Sequence, residues 1–370
     1  MAQAIIILAI RVVRFAIRDY NYRMQSPSFI ITNKILSSIS KIEAAEEVIK
    51  HAPLLPLWEK QFKEDAVVRA VYHGTHLEGN QLQKDEAKDV LMGKDVVARP
   101  RDIQEIINYR KVIELIDEEV RKKIENITEP FIKKVHRIIV TKVLDEAMSG
   151  EYRTKQVVVK NSQTGEVTFT PPSAIDVPFL MREFTYWLNR DSTTELHPVL
   201  KAGIAHHELV RIHPFVDGNG RVARVLATLI MLLGGYDIRR FFSLEEYYDK
   251  DSHSYYENLQ KASAGDLTAW LEYFTWGAAI EFDKVKEKVL KLSRDVKMKE
   301  RFGGKQIYLN DRQVKLVEYI QEVGYLQNQS FGTVIQDVSE DTILRDIQDL
   351  IKKDLIKKVG STKAARYVMV

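Results

Sequence analysis

His213-Pro-Phe-Val-Asp-Gly-Asn-Gly-Arg-Val-Ala-Arg224 gathers an imidazole, a carboxylate, two glycines, an amide and two guanidiniums into twelve residues. Apolar segments with helical spacing flank it, 199–212 before and 222–233 after. Gly218 and Gly220 have no Cβ, so backbone N–H groups can converge there. A helix that begins at this point aims its free N–H groups and its positive dipole end at one spot. Arg221 and Arg224, three residues apart, share a side of its first turn. The stretch therefore reads as a cradle for a polyphosphate. Asp217 suits a hard cation such as Mg²⁺, which takes one or two carboxylates together with phosphate oxygens. His213 is a base available near neutral pH. The plain alternative is a helix–loop–helix turn whose arginines face solvent.

The 370-residue chain is long enough for two or three domains and a large core. Its 45% hydrophobic and 29% charged content is that of a soluble globular protein. A net charge of +3 is too small to argue for nucleic acid. With no cysteine, a disulfide framework, a thiol nucleophile and a cysteine metal site are all excluded. That composition suits a reducing interior, and a cytoplasmic location is the expectation. The apolar run 4–10, followed by Arg11, Arg14 and Arg18, is far short of the roughly 20 residues of a membrane span. It reads as an amphipathic segment against the body or a misassigned start codon, with a membrane-surface helix as the lesser reading.

Residues 213–224 resemble the signature of the Fic family, His-x-Phe-x-(Asp/Glu)-Gly-Asn-Gly-Arg-x-x-Arg, at every specified position. The resemblance implies a mainly α fold, with a Fic-type helical core, a small β-hairpin flap and a C-terminal winged-helix domain. It also implies transfer of AMP from ATP to Ser, Thr or Tyr hydroxyls of target proteins, the chain itself included, with release of pyrophosphate. Under it, His213 is the catalytic base and Asp217 holds Mg²⁺. Gly218, Asn219 and Gly220 surround the α-phosphate, Arg221 takes the β-phosphate and Arg224 the γ-phosphate. Phe215 anchors the loop in the core. Other nucleotide or phosphocholine donors, and AMP removal, are alternatives within the family.

Two further stretches extend the resemblance. Many Fic proteins carry an inhibitory helix ending in Ser/Thr-x-x-x-Glu-Gly/Asn, and Gly74-Thr-His-Leu-Glu-Gly79 is similar to it. The similarity implies that Glu78 reaches Arg224 and blocks the γ-phosphate. Gly74 stands where the motif has Ser or Thr, and Thr75 follows it, so the anchoring hydroxyl is in question. Residues 153–172 read as a hairpin: β-branched 157–159, turn-rich 161–165, strand-like 167–170, then Pro171-Pro172. It resembles the Fic flap, in which Val158, Val159 and Lys160 would pair with an extended target segment by strand addition.

The remaining stretches are helical. Residues 30–50 carry Ile35, Leu36, Ile39, Ile42, Ala45 and Val48 at helical spacing, with Pro53 and Pro56 as stops. Residues 59–77, 101–117, a segment opening at Thr128-Glu-Pro, and 177–188 follow. His206-His207-Glu208 lacks the second-histidine spacing of zinc proteases, since Arg211 stands in that place, and reads as packing or hydrogen-bonding histidines. Tyr255-Tyr256 resembles the Fic adenine-pocket element, Tyr256 being the residue assigned to the nucleotide; core packing is the competing reading. Residues 270–276 continue an apolar helix, and 283–299 form a charged helix or linker.

The expected domains are an N-terminal segment 1–29 of little order, a helical region 30–100 with the inhibitory helix, the catalytic core 101–300, and a winged helix 305–370. In that last unit, helices at 311–323 and 330–338, a helix N-capped by Ser339, and a hairpin over 357–370 are expected. The third helix carries Glu340, Asp341, Asp346 and Asp349 against Arg345, which argues for protein docking or oligomer contact over DNA. The basic wing, with Lys357, Lys358, Lys363 and Arg366, keeps a DNA-binding regulator with an ATP-sensing core as the non-enzyme alternative. A homodimer is expected by analogy only.

Overall fold

The computed structural model describes residues 28–52, 56–160, 165–190, 196–236, 241–262, 265–301, 309–335, 338–360 and 365–370. The apolar run 4–10 and its arginines lie outside the described residues, as do Pro53 and the flap tip 161–164. The chain divides into two compact units, Met1–Arg294 and Asp295–Val370.

The first unit is helical. Helix α1 (Asn33–His51) is capped by Thr32, whose hydroxyl accepts from the Ile35 N–H. Its inner stripe is Ile35, Ile42, Ala45 and Ile49, whereas Leu36 is 57% exposed and off that stripe. Helix α2 (Pro56–His76) begins at Pro56, so this proline starts a helix rather than ending one, as its fixed φ and missing N–H allow. Next come α3 (Lys84–Leu91), α4 (Pro100–Lys122) and α5 (Glu129–Val140). Thr128 caps α5 through the Phe131 N–H. A short antiparallel pair, β1 (Val159–Lys160) and β2 (Val167–Phe169), precedes α6 (Val177–Asn189). Val157 and Val158, read as strand residues from their branching, fall outside β1.

The centre of this unit is the pair α7 (Pro198–Ile212) and α8 (Asn219–Leu233). Both are buried on nearly every side, which is why their sequences are apolar around the whole circumference. Helices α9 (Leu244–Lys250) and α10 (Ser252–Ala262), with α11 (Thr268–Arg301) as far as Arg294, complete it. Residues 268–301 form one continuous helix, with no break between the apolar 270–276 and the charged 283–299. It approaches α7 closely at Gly203, whose carbonyl accepts the Trp270 indole N–H at 2.7 Å. A Cβ at Gly203 would lie 2.9 Å from Leu271 and 3.0 Å from Phe274, so only glycine permits this spacing.

The second unit has its own core of Leu316, Ile320, Phe331, Ile343, Ile347 and Leu350. Its elements are α12 (Asp311–Val323), α13 (Phe331–Val334), α14 (Glu340–Lys352) and the antiparallel pair β3 (Ile356–Val359) and β4 (Arg366–Met369). Leu326 adds a bridge to Tyr367. Asn310, not foreseen, caps α12 with a reciprocal bond to Gln313. Ser339 stands at the N-cap position of α14, but its hydroxyl meets that of Thr342 instead of a backbone N–H. Two of the four acids of α14 are internal struts: Asp346 accepts from Arg312 at 2.7 Å and Asn310 at 2.9 Å, and Asp349 accepts from Gln313 at 2.6 Å. The acidity of that helix is therefore less than its composition suggests.

Candidate active site

The 213–224 stretch joins α7 to α8. His213 closes α7 as its C-cap in the left-handed conformation, φ 52° and ψ 58°, with its N–H bonded to the Leu209 carbonyl at 2.9 Å. A non-glycine residue held there stores backbone strain, which is kept where function or dense packing requires it. The ring Nδ1 lies 3.2 Å from the Val210 carbonyl, so Nδ1–H donates and Nε2 is left as the basic nitrogen. Burial pushes the imidazole below its ordinary pKa; Arg153 adds to that, while the Val210 carbonyl, Glu78 and Asp217 oppose it. The ring is thus neutral at pH 7, the form a general base needs.

The loop after it is over-determined. Phe215 is fully buried and stacks on His136, ring centroids 3.8 Å apart and planes within 2°. The Asn219 side chain accepts the Phe215 N–H and donates to the Phe215 carbonyl, both at 2.9 Å. The amide assigned to the α-phosphate is therefore committed to clasping its own loop and is 2% exposed. Helix α8 begins at Asn219, earlier than its apolar pattern suggests, with Gly218 as the N-cap at φ 82°. A helix start of this kind, with free N–H groups and the positive dipole end, suits an anion.

His136, on α5, is the loop's second fastening. Its Nδ1 accepts the Gly150 N–H at 2.9 Å, so Nε2–H donates to the Asp217 carbonyl at 3.0 Å. Burial pushes its pKa down to about 4, against the pull of Asp217.

The two signature arginines lie inside. Arg221, 2% exposed, donates to Glu105 of α4 at 3.2 Å and to Asp217 at 3.3 Å. Asp217 also meets Arg101 at 3.3 Å and the Gly218 N–H at 2.6 Å. Arg224 donates through Nη2 to Glu78 at 2.8 Å and to the Gly74 carbonyl at 2.9 Å. Burial would depress the Arg224 guanidinium, but Glu78 holds it well above its ordinary value. The Nε of Arg221 and the Nε and Nη1 of Arg224 are buried without a hydrogen-bond partner. Buried guanidinium donors left open in this way fit an anion.

Glu78 is brought to Arg224 by the end of α2. The helix stops in a turn where Gly79 takes φ 91° and the Asn80 N–H bonds the Thr75 carbonyl at 3.2 Å. Asn80, buried, donates to the Asp102 carbonyl and to Glu105, both at 3.0 Å, fixing the turn on α4. On the other side His73 and His76 share Asp249 of α9, each at 2.8 Å. The hydroxyl question at 74–75 has a clear outcome. Thr75 donates back to the Val71 carbonyl at 2.9 Å within its own helix and anchors nothing beyond it. The space beside Gly74 is taken by the Tyr109 ring, which a Cβ would approach to 2.7 Å, and the Gly74 carbonyl serves Arg224 directly.

Tyr255 and Tyr256 divide their two readings. Tyr255 is buried and its hydroxyl meets His206 Nε2 at 2.8 Å, so both are core residues. Tyr256 is 48% exposed, and its hydroxyl donates to the Leu77 carbonyl at 3.2 Å, next to Glu78. Among the described residues no group of three or more His, Asp and Glu side chains could hold a metal by itself. Asp217, with its side chain 38% exposed and ion-paired to Arg101 and Arg221, has the chemistry of a single Mg²⁺ carboxylate, a role in which phosphate oxygens must supply the other ligands.

Glu105, Arg101, Asn80, His136, Tyr109 and Arg153 were not singled out from sequence. Asp102, Glu105, Asn108 and Tyr109 form a polar stripe at three- and four-residue spacing on a buried face of α4, and that interruption was the available signal.

The Fic/DOC family model matches residues 126–231. The protein adenylyltransferase Fic of Drosophila virilis is 32% identical over 217 residues, 58% of this chain and 41% of that protein. Its namesake in Nematostella vectensis is 29% identical over 246 residues, 64% of this chain and 52% of that protein. The chain thus spans about half the length of these curated relatives. A crystal structure of a Fic domain containing signaling protein from Bacteroides thetaiotaomicron VPI-5482 shares 26% identity and a TM-score of 0.58, over 71% of this chain and 97% of that one. A Fic family protein from Desulfovibrio desulfuricans G20, 23% identical, has the same fold with a TM-score of 0.60 over 94% of this chain and 98% of that one. With the signature, the paired helices that carry it and these matches in agreement, the chain carries a Fic domain.

Proposed function

We propose that the chain transfers AMP from ATP to Ser, Thr or Tyr hydroxyls of proteins, itself included, and that Glu78 restrains it. The observation that carries this reading is the presence, along the one connection from α7 into α8, of a neutral His213 whose Nδ1 is committed to Val210, the N–H groups that open α8 and two buried arginines with open donors. In the reaction Nε2 takes the proton of the target hydroxyl and the hydroxyl oxygen attacks the α-phosphorus. The bond to the bridging oxygen breaks and pyrophosphate leaves. The N–H groups around Gly218 and Gly220 face the charge that develops on the α-phosphate. Arg221 takes the β-phosphate and Arg224 the γ-phosphate. Mg²⁺, held by Asp217 against the phosphates, would supply charge neutralisation. Tyr256 offers an aromatic face to the adenine.

Glu78 occupies the donor that the γ-phosphate needs. A Cβ on Gly220 would collide with the Glu78 carboxylate, so the acid lies directly over the start of α8. If this pair holds the inactive state by about 2 kcal/mol, activity is suppressed more than tenfold. Val158, Val159 and Lys160 are read as the edge that pairs with the target strand. The order of elements in the second unit, three helices and then a strand pair, supports a winged-helix reading; the acids of its third helix favour protein docking over DNA as its role. The cytoplasm is the proposed compartment.

The test uses ATP labelled at the α- or the γ-phosphate, with the parent chain, Glu78→Gly and His213→Ala. Protein-bound α-label, strongest in Glu78→Gly and absent in His213→Ala, is the expected result. Bound γ-label alone would replace AMP transfer by phosphorylation. Equal α-labelling of parent and Glu78→Gly would remove the restraint.

A further inference from the structure

We propose that Arg153 is a positioning residue that ties the flap to the catalytic base, so that a target strand docked on the flap and the His213 ring are held in one register; this rests on the AMP-transfer reading. Arg153 is 2% exposed, and no carboxylate lies within hydrogen-bond reach of it among the described residues. Its guanidinium donates only to main-chain carbonyls. Nε bonds the carbonyl of His213 itself at 2.8 Å, and Nη2 bonds that of Pro172 at 2.6 Å and reaches that of Ile212 at 3.5 Å. Nη1 reaches the Lys155 carbonyl at 3.4 Å, and the Arg153 backbone N–H donates to the Pro214 carbonyl at 2.8 Å.

These partners form two groups. Lys155 and Pro172 bracket the hairpin at its two roots, and Gln156 closes the same gap with a bond to the Pro171 carbonyl at 2.9 Å. Ile212, His213 and Pro214 are the end of α7 and the peptides around the base. Among the described residues, Arg153 is therefore the side chain that joins both roots of the flap to the peptide of the base. A buried cation without a counterion is costly, and here it is compensated by carbonyl dipoles, including the negative end of α7. Only a planar fork can serve carbonyls on two sides at once; an ammonium keeps the charge and loses the geometry. The positive charge beside His213 also favours its neutral form.

The experiment compares Arg153→Lys and Arg153→Met in a Glu78→Gly full-length background. It measures ATP affinity by calorimetry, kcat for AMP transfer, and hydrogen exchange at 156–160 and 212–215. The expected result is ATP affinity within about twofold and a kcat loss on the order of 100-fold, the scale of a misplacement of about 1 Å. Exchange should rise in both segments together. Unchanged kcat, or exchange that rises at the flap while 212–215 stays protected, would overturn the proposal. If Arg153→Met does not fold, Arg153→Lys decides by the same split, and parent-like values for it overturn the proposal. If the Glu78→Gly parent transfers no AMP, the activity reading falls, and joint or separate exchange of the two segments still decides the role of Arg153.

Discussion

The loop from His213 to Asn219 and the flap lie at either end of Arg153, and they are built on opposite terms. In the loop the fastenings are internal: Asn219 clasps Phe215, His136 holds the Asp217 carbonyl, and Phe215 is sealed under the His136 ring. The flap is two short strands with an irregular register, and Val158 and Val167 are 43% and 53% exposed. A loop that must meet one invariant ligand gains from preorganisation, because nothing has to be ordered when the ligand arrives. A strand edge that accepts varied partners needs open main-chain groups and tolerates loose side-chain detail. On the proposed AMP-transfer reading, the chain separates what is constant in the reaction from what varies.

That contrast can be broken by substitution. His213→Ala should produce the largest effect, a loss of about 10²- to 10⁴-fold in transfer with ATP binding retained, because only the base is removed. Loss of ATP binding in this variant would mean that the ring supports the loop rather than the chemistry.

The next effect is in stability and comes through His136. Its folded-state pKa of about 4 lies below the ordinary 6.5, so the fold favours the neutral ring and the unfolded chain takes up the proton first. The contribution is complete above pH 6.5 and is lost as pH falls towards about 4. A decline of about 3 kcal/mol across that window is expected from this group. Denaturant titrations at pH 7 and pH 5 should show about 2 kcal/mol of it, since most of the rest falls below pH 5, and His136→Gln should flatten the slope.

A smaller effect is expected at the fit of α2 against α4. Gly74→Ser would place a Cβ against the Tyr109 ring and cost about 1–3 kcal/mol through overpacking. Adding Tyr109→Leu should recover part of that loss; a strictly additive cycle would show that the two sites are not coupled through this contact.

The smallest effect belongs to the flap. Val158→Ser should leave the melting temperature and ATP affinity unchanged and alter transfer to a protein target only a few-fold, since strand addition relies on main-chain bonds. A collapse in stability would show that the flap is a structural hairpin.

The legible and illegible parts of the site differ in contact range. The Glu78–Arg224 pair spans 146 residues, yet its two ends were recognisable because each belongs to a motif. Glu105–Arg221, at a separation of 116, and Arg153–His213, at 60, carry no such marks and went unnoticed. The side chain of Asn219 is a related case. An amide between two glycines has the chemistry of a phosphate ligand, and only the backbone path shows that Phe215 takes both of its bonds. Whether position 75 could supply the missing hydroxyl was open for the same reason: in the helix the Thr75 hydroxyl returns to the Val71 carbonyl.

By itself the sequence determined the helical periodicities, the glycine and proline punctuation and the residues of the signature, because these depend on spacings of a few residues and on chemistry that each side chain carries alone. The tertiary structure decided which nitrogen of His213 is free, that Arg221 and Arg224 are buried with open donors, that Tyr109 fills the space beside Gly74, and that Arg153 joins the flap to the base. Each of those outcomes depends on which distant groups exclude water from a polar atom and which remain to satisfy it, and that is settled only when the helices pack.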